Sequence, residues 1–161
     1  MNSKSERVLK GALAGALGGL AASFAMNQFQ GLWTKLAGKT SNGSDATVKT
    51  AQAISPTVFQ RELSEDQKKW AGPAVHYGFG TLVGAAYGAL AEAVPKAGVG
   101  RGTGYGSAVW LAADELVLPR LGLTGPAREQ PVSTHVQAWL AHVVYGVTTD
   151  MARRVMLGMP G

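Results

Sequence analysis

The chain has 161 residues, the size of a single domain. Hydrophobic residues make up 46% and charged residues 16%, below the roughly 25% charged fraction of an ordinary soluble domain. The formal net charge of +5 does not predict nucleic-acid binding, because the 15 Lys and Arg lie mainly between apolar segments and form no basic stripe interleaved with aromatics. No Cys is present, which excludes disulfides and thiolate chemistry.

Windows without Asp, Glu, Lys or Arg identify the predicted helices in chain order. Three such windows, residues 11–34, 70–91 and 130–149, contain 24, 22 and 20 residues. A helix needs about 20 residues to cross the hydrocarbon core of a bilayer, so each window is long enough. A fourth apolar segment, residues 98–122, carries an acidic pair inside it.

These windows predict an all-α fold, a polytopic membrane protein built as a four-helix transmembrane bundle in a single domain of residues 1–161. Its partner is then the lipid bilayer. The Lys and Arg counts on the two faces of such a bundle are 7 and 8, so the charge distribution predicts no orientation. The predicted helices span about residues 8–34, 70–94, 99–121 and 132–156.

The segment between the first two predicted helices, residues 37–69, is the longest polar loop. The tetrapeptide Ser64-Glu65-Asp66-Gln67 is typical of a capping box, which predicts that the second helix begins here. Trp33 and Trp70 stand near Lys residues at helix ends, as interfacial anchors do. A short surface helix is expected near residues 47–54.

Two alternatives to the four-span interpretation remain open. Basic residues before the first apolar run, together with Ser23-Phe24-Ala25, are compatible with a cleaved signal peptide. The uncharged run, however, continues to Trp33, beyond that site. The second alternative is a soluble, glycine-rich helical bundle.

Glycine is abundant, at 22 residues. In lipid, helices associate through close backbone approach rather than the hydrophobic effect, and small residues allow that approach. Such ridges also fit contact with another copy of the chain, so a homo-oligomer is expected. The glycines predicted to pack helices are Gly11, Gly15, Gly18, Gly80, Gly84, Gly88, Gly100 and Gly104.

Polar residues within the predicted spans form the candidate site. Counting from the nearest charged boundary, four of them lie roughly 8–12 Å from the same membrane face at 1.5 Å per residue. Acids at such a depth are costly and mark function by default. We expect Glu115, or its neighbour Asp114, to contact His76 and His135, with His142 one to two turns deeper. The polar cluster comprises Asn27, His76, Asp114, Glu115, His135 and His142.

This cluster predicts a transport-related or proton-responsive protein, because His titrates near neutral pH and a neighbouring carboxylate tunes it. The alternative is an accessory envelope protein in which the cluster only clamps helices together. No metal motif such as H-E-x-x-H is present, so no metal site or cofactor is predicted. No nucleophile elbow is present either, so no catalytic residue is predicted, and a membrane enzyme or cofactor-binding protein ranks third after these two functions.

Most of the chain outside residues 37–69 also resembles a known family, including the glycine-rich first helix and the segment around His76 and Tyr87. Residues 114–124 (DELVLPRLGLT), the following Pro126 and Pro131, residues 142–146 (HVVYG) and the basic pair 153–154 are similar to the YagU-like family of bacterial inner-membrane proteins of unknown function. Relatives can carry His on the third helix where this chain has Asp and Glu. The resemblance implies a multi-pass location in the bacterial inner membrane.

Overall fold

The structure is a computed structural model that describes residues 3–37, 47–53, 55, 64–98 and 100–159. Within these ranges the chain is helical and contains no strand, so the all-α prediction is confirmed. We number four of the α-helices in these ranges α1 (Ser3–Ala37), α2 (Glu65–Ala93), α3 (Thr103–Trp110) and α4 (Val132–Met156). Shorter elements are the 3₁₀ turns Pro95–Gly98 and Ala127–Glu129, the π-helical segment Leu111–Val117 and the α-helical turn Leu118–Arg120.

The predicted capping box at the start of α2 is confirmed. Ser64 Oγ accepts a hydrogen bond from the backbone N–H of Gln67 at 3.3 Å, and Gln67 Oε1 accepts one from the Ser64 N–H at 2.9 Å. Two otherwise unpaired backbone donors of the first turn are thereby satisfied. The helix consequently begins five residues before the predicted start at residue 70.

The predicted short helix is present at residues 47–53, where Lys49, Gln52 and Ala53 are exposed and one face packs inward. Ala51 is buried, and a Cβ built on Gly72 of α2 would lie 2.8 Å from Val48 Cγ2. This segment therefore packs against the first turns of α2. The remainder of the predicted loop, apart from residues 37, 55 and 64–69, lies outside the described residues.

Helices α1 and α2 run antiparallel and touch through their glycines. A Cβ built on Gly15 would lie 2.9 Å from Gly88 Cα, and one built on Gly84 would lie 2.7 Å from Gly19 Cα. Real Cβ contacts are not this short, so only glycine permits this backbone separation. The contact uses residues four apart on both helices, which are Gly11, Gly15 and Gly19 on α1 and Gly80, Gly84 and Gly88 on α2.

Helix α4 packs on another side of α1. A Cβ on Gly18 would lie 2.9 Å from the carbonyl oxygen of Thr149. Further along the same contact, Ala22 of α1 belongs to a buried apolar cluster with Tyr145 of α4. The Tyr145 hydroxyl donates a hydrogen bond to Gly80 O of α2 at 2.6 Å. Helix α1 therefore contacts both α2 and α4 along its length.

Helices α3 and α4 form the second close antiparallel pair, through different glycines from those predicted. A Cβ on Gly106 would lie 3.4 Å from Gly146 Cα, whereas a Cβ on Gly104 would meet nothing within 4 Å. The prediction of packing roles for Gly100 and Gly104 was wrong. Gly100 and Gly102 have positive φ and precede α3, so the helix begins later than predicted and presents Gly102 and Gly106 to α4.

Of the helices in the described ranges, α1 alone is long and apolar enough to cross a membrane by length and composition. Four membrane-spanning helices were predicted from the absence of charged residues and not from hydropathy. Gly, Tyr, His and Trp in α2 and α4 carry no charge, yet they lower the mean hydropathy. The third predicted span is interrupted by the π-helical segment, so no single long α-helix covers it.

Large apolar side chains lie mainly on the outside of this assembly. Leu17 and Phe24 on α1, Leu82 on α2 and Val155 on α4 are exposed by more than half of their surface. The interior consists largely of small and polar groups, with Met26 and Tyr145 in its apolar cluster, whereas large apolar side chains dominate an ordinary soluble core. The largest side chains with less than 2% exposure are Tyr87, Thr149, Asp150, Ser23 and Ser55.

Candidate functional site

The π-helical segment that follows α3 presents two adjacent carboxylates to α4. Asp114 and Glu115 lie within it, opposite His142 and His135 respectively. The two His residues are seven positions apart, so they occupy one face of α4 about 10 Å apart along its axis. A π turn is wider than an α turn, and such turns occur frequently at functional sites. The α3–α4 seam therefore contains two acid–histidine pairs.

The Glu115–His135 pair is the tighter of the two. His135 Nδ1 lies 2.6 Å from Glu115 Oε1, and His135 Nε2 lies 3.0 Å from the carbonyl oxygen of Ala127. Both ring nitrogens thus face oxygen atoms, whereas a neutral imidazole has only one N–H. Both contacts are hydrogen bonds when the ring is protonated, or when Glu115 is protonated and donates to Nδ1. In either form the pair holds one proton more than a neutral His beside an ionised Glu, and it carries no net charge.

The Asp114–His142 pair is looser. Asp114 Oδ2 lies 3.7 Å from His142 Nδ1, which is beyond hydrogen-bond distance but within range of an ionic interaction. The same nitrogen lies 2.9 Å from Ala138 O in the preceding turn of α4 and donates its proton there when it is protonated. The two side chains therefore lie close enough for an ion pair when His142 is protonated, but they form no direct hydrogen bond.

His76 and Asn27 do not join these pairs, so the expected single cluster is divided in two. His76 Nε2 lies 3.4 Å from Ser23 O, and Asn27 Nδ2 donates to the Tyr77 hydroxyl at 3.2 Å. In the described part of the chain, neither forms a hydrogen bond or ion pair with a carboxylate. Residue counts along each helix predicted equal depth, but depth does not determine which helices are neighbours. Both residues lie on the α1–α2 contact.

A second polar cluster, which the sequence did not predict, is buried near the other end of the helices. Arg153 donates to Glu92 Oε1 at 2.8 Å and to Asp150 Oδ1 at 3.1 Å. Arg154 Nε donates to Asp150 Oδ2 at 2.7 Å, and the Tyr87 hydroxyl donates to Asp150 Oδ1 at 2.9 Å. Asp150 and Arg153 are only 1% and 3% exposed.

The sequence contained one signal for this cluster. Asp150 precedes Arg153 and Arg154 by three and four residues, the spacings at which side chains meet on a helix. Glu92 and Asp150 were instead used only as the ends of uncharged windows. The cluster forms only because α2 and α4 pack close together, which brings Glu92 next to Arg153, 61 residues further along the chain. No local sequence pattern indicates such a contact.

No group of three or more His, Asp or Glu side chains is positioned to hold a metal ion within the ranges that the structure describes. Each acid whose side chain the structure describes is either paired with Arg or His or exposed. The chemistry available at the α3–α4 seam is therefore proton binding and hydrogen bonding by the two acid–histidine pairs.

Comparison with known families places this geometry in context. A family model described as "Protein of unknown function (DUF1440)" matches residues 48–151, about two thirds of the chain. The chain belongs to this family. The matched region contains both acid–histidine pairs and Asp150, whereas α1 and Arg153 lie outside it. No curated protein and no solved structure matches the chain.

Proposed function

We propose that this DUF1440 protein is a multi-pass bacterial inner-membrane protein whose α3–α4 seam responds to protons. The length and apolarity of α1 support a membrane location. Large apolar side chains outside, and glycine contacts and polar groups inside, are the distribution expected of helices that pack in lipid. The resemblance to YagU-like proteins agrees with membership of a family of unknown function.

The position of His135 between two acceptors carries the proposal. If the Glu115–His135 pair loses its proton, one ring nitrogen presents a lone pair to an oxygen, and one of the two contacts is lost. Glu115 belongs to the π-helical segment, whereas Ala127 belongs to the turn before α4. Proton release therefore loosens the connection between these two segments.

The second pair extends this response toward transport. Asp114 is the residue before Glu115 in the π-helical segment, and His142 lies two turns after His135 on α4. The second pair is therefore further from the α3–α4 turn than the first pair is. Proton relays in membrane proteins are built from chains of acids and histidines, and the two pairs place such groups in succession along one seam. We therefore propose proton movement along the seam as the transport-related form of the function.

Substitution of Glu115 by Gln tests the proposal. The amide of Gln can donate to His135 Nδ1 while Nε2–H donates to Ala127, so this variant imitates the pair with its proton permanently bound. In wild-type protein we expect hydrogen–deuterium exchange of residues 118–131 to rise with pH beyond the intrinsic change in exchange rate. In Glu115→Gln the corrected exchange should not change with pH.

Glu129→Gln is the matched control, because Glu129 is an exposed carboxylate on the same turn. It should retain the wild-type response to pH. The proposal is wrong if corrected exchange in wild type is independent of pH, or if Glu115→Gln responds as wild type does. Proton flux into proteoliposomes, measured with a trapped pH-sensitive dye, then separates transport from a response without transport.

A structural role as an accessory envelope protein is the second candidate. It is supported by the contact between His135 and Ala127, which joins the α3–α4 turn to α4 and needs no movement of protons to do so. This candidate predicts that His135→Ala lowers the melting temperature, and that wild-type protein shows neither pH-dependent exchange nor flux. The two candidates therefore differ in the behaviour of the wild-type protein itself.

A further inference from the structure

A cleft of about 440 Å³ opens at the end of the molecule opposite to the Glu115–His135 pair. It lies where the start of α1, the end of α2, the loop before α3 and the end of α4 come together. Its lining is rich in arginine and includes one acid. The charged residues that line it are Arg7, Glu92, Arg101, Arg153 and Arg154.

The positive charge of this cleft is only partly neutralised. Arg153 and Arg154 are paired with Glu92 and Asp150. Arg7 and Arg101 form no ion pair with any residue that the structure describes. Two guanidinium groups therefore remain available to a ligand that enters the cleft.

Arg153 supplies a further donor inside the cleft wall. Its two terminal nitrogens are bonded to acids, but its Nε is buried and has no hydrogen-bond partner among the described residues. A buried N–H without an acceptor is costly, so the site lacks one acceptor atom. Because this nitrogen is buried, an anion in the cleft reaches it only through an intervening water.

The backbone at Arg101 is consistent with a functional use of its side chain. Its φ is +49°, between Gly100 at +84° and Gly102 at +82°, and it is the one described non-glycine residue with positive φ. A glycine would adopt this conformation with less strain. Residues held in such conformations are concentrated at ligand sites.

We propose that this cleft binds a phosphate-bearing anion, contacted by Arg7 and Arg101. The planar guanidinium fork matches the geometry of phosphate oxygens and forms two hydrogen bonds with them. A phosphomonoester carries a charge near −2, which balances the two unpaired arginines. The group can belong to a soluble phosphate or to a lipid headgroup, and the experiment below separates them. The site is independent of the acid–histidine pairs.

The test uses the full chain purified in an uncharged detergent at low ionic strength. One arm titrates inorganic phosphate by calorimetry, and the other titrates phosphatidic acid in mixed micelles. The double variant Arg7→Gln, Arg101→Gln should weaken binding of at least one probe by roughly tenfold or more, because charge-assisted contacts are lost. The control Arg120→Gln, Arg128→Gln removes the same charge from the other end of the molecule and should change affinity less than about twofold.

The pattern of binding identifies the ligand. Binding of inorganic phosphate indicates a soluble ligand, and binding of phosphatidic acid alone indicates a headgroup site. The proposal is overturned if neither probe binds saturably, or if the control variant weakens binding as much as the double variant does.

Arg101→Gly separates binding from folding. The substitution removes the guanidinium but relaxes the backbone, so we expect weaker binding of the same probe with an unchanged or higher melting temperature. Wild-type affinity in Arg101→Gly would exclude Arg101 from the site and overturn the proposal.

Discussion

Substitution of Gly84 by alanine perturbs the contact between α1 and α2 at its centre. The added Cβ would overlap the carbonyl oxygen of Gly15 and would lie 2.7 Å from Gly19 Cα and 2.9 Å from Gly19 N. These neighbours are backbone atoms of a helix, so no side chain can rotate to make room. Because carbon atoms in favourable contact are about 3.5–4.0 Å apart, the helices must separate by about 1 Å.

The change in the free energy of unfolding is the sum of two opposing effects. Overpacking a close contact costs about 1–3 kcal/mol, and a gap of 0.5–1 Å forfeits roughly a quarter to a half of each neighbouring van der Waals attraction. Alanine recovers up to about 1 kcal/mol through its higher helix propensity. Gly78→Ala on the same helix has only the second effect, since a Cβ there meets nothing within 4 Å. We expect Gly84→Ala to be less stable than Gly78→Ala by about 1–3 kcal/mol, which is the cost of overpacking, because the gain in helix propensity is common to both variants.

Equilibrium unfolding in mixed detergent and SDS micelles, followed by circular dichroism, measures the difference in the free energy of unfolding. Comparison of the two alanine variants cancels the effect of helix propensity, so the remaining difference reports the α1–α2 contact. Equal stability of Gly84→Ala and Gly78→Ala would contradict the close glycine packing on which the arrangement of α1 and α2 rests.

Two further predictions concern single hydrogen bonds. Tyr87→Phe should lower the free energy of unfolding by about 1–3 kcal/mol, because it removes a hydrogen-bond donor from the buried Asp150. Tyr77→Phe, at a partly buried site, should lower it by less, and thermal unfolding of both variants compares them. Ser64→Ala should lower the free energy of unfolding by about 0.5–2 kcal/mol, because it removes the N-cap of α2. Retention of stability in Ser64→Asp would attribute the loss to the cap. Identical melting temperatures of Ser64→Ala and wild type would refute this role.

The local features of the sequence were the most predictable. The capping box at Ser64 involves residues three apart, so its geometry is fixed by the chain itself once a helix begins. The glycine spacing of α1 and α2 is likewise a property of each helix taken alone. The proximity of Glu115 to His135 followed from counting residues back from the turn that joins their helices, which are consecutive in the chain.

Features that depend on rotation or on distant partners were not predictable in this way. A one-residue π insertion changes which side of a helix faces its neighbour, and no sequence pattern indicated it at residues 111–117. The choice of Gly102 and Gly106 over Gly100 and Gly104 depends on where α3 begins, which is decided by the positive φ angles of the preceding loop. His76 was assigned a carboxylate partner from its predicted depth alone, because the sequence does not identify the helices that flank it.

The amino-acid sequence by itself determined that this chain forms long helices with glycine ridges and carries acids and histidines within apolar segments. Periodicity and capping are local, so they can be read from neighbouring residues. Only the tertiary structure determined that Arg153 pairs with Glu92 and that Arg7 and Arg101 share a cleft, because those groups meet through the packing of separate helices. Side-chain partners across helices depend on the order and rotation of the helices, and these are properties of the whole assembly.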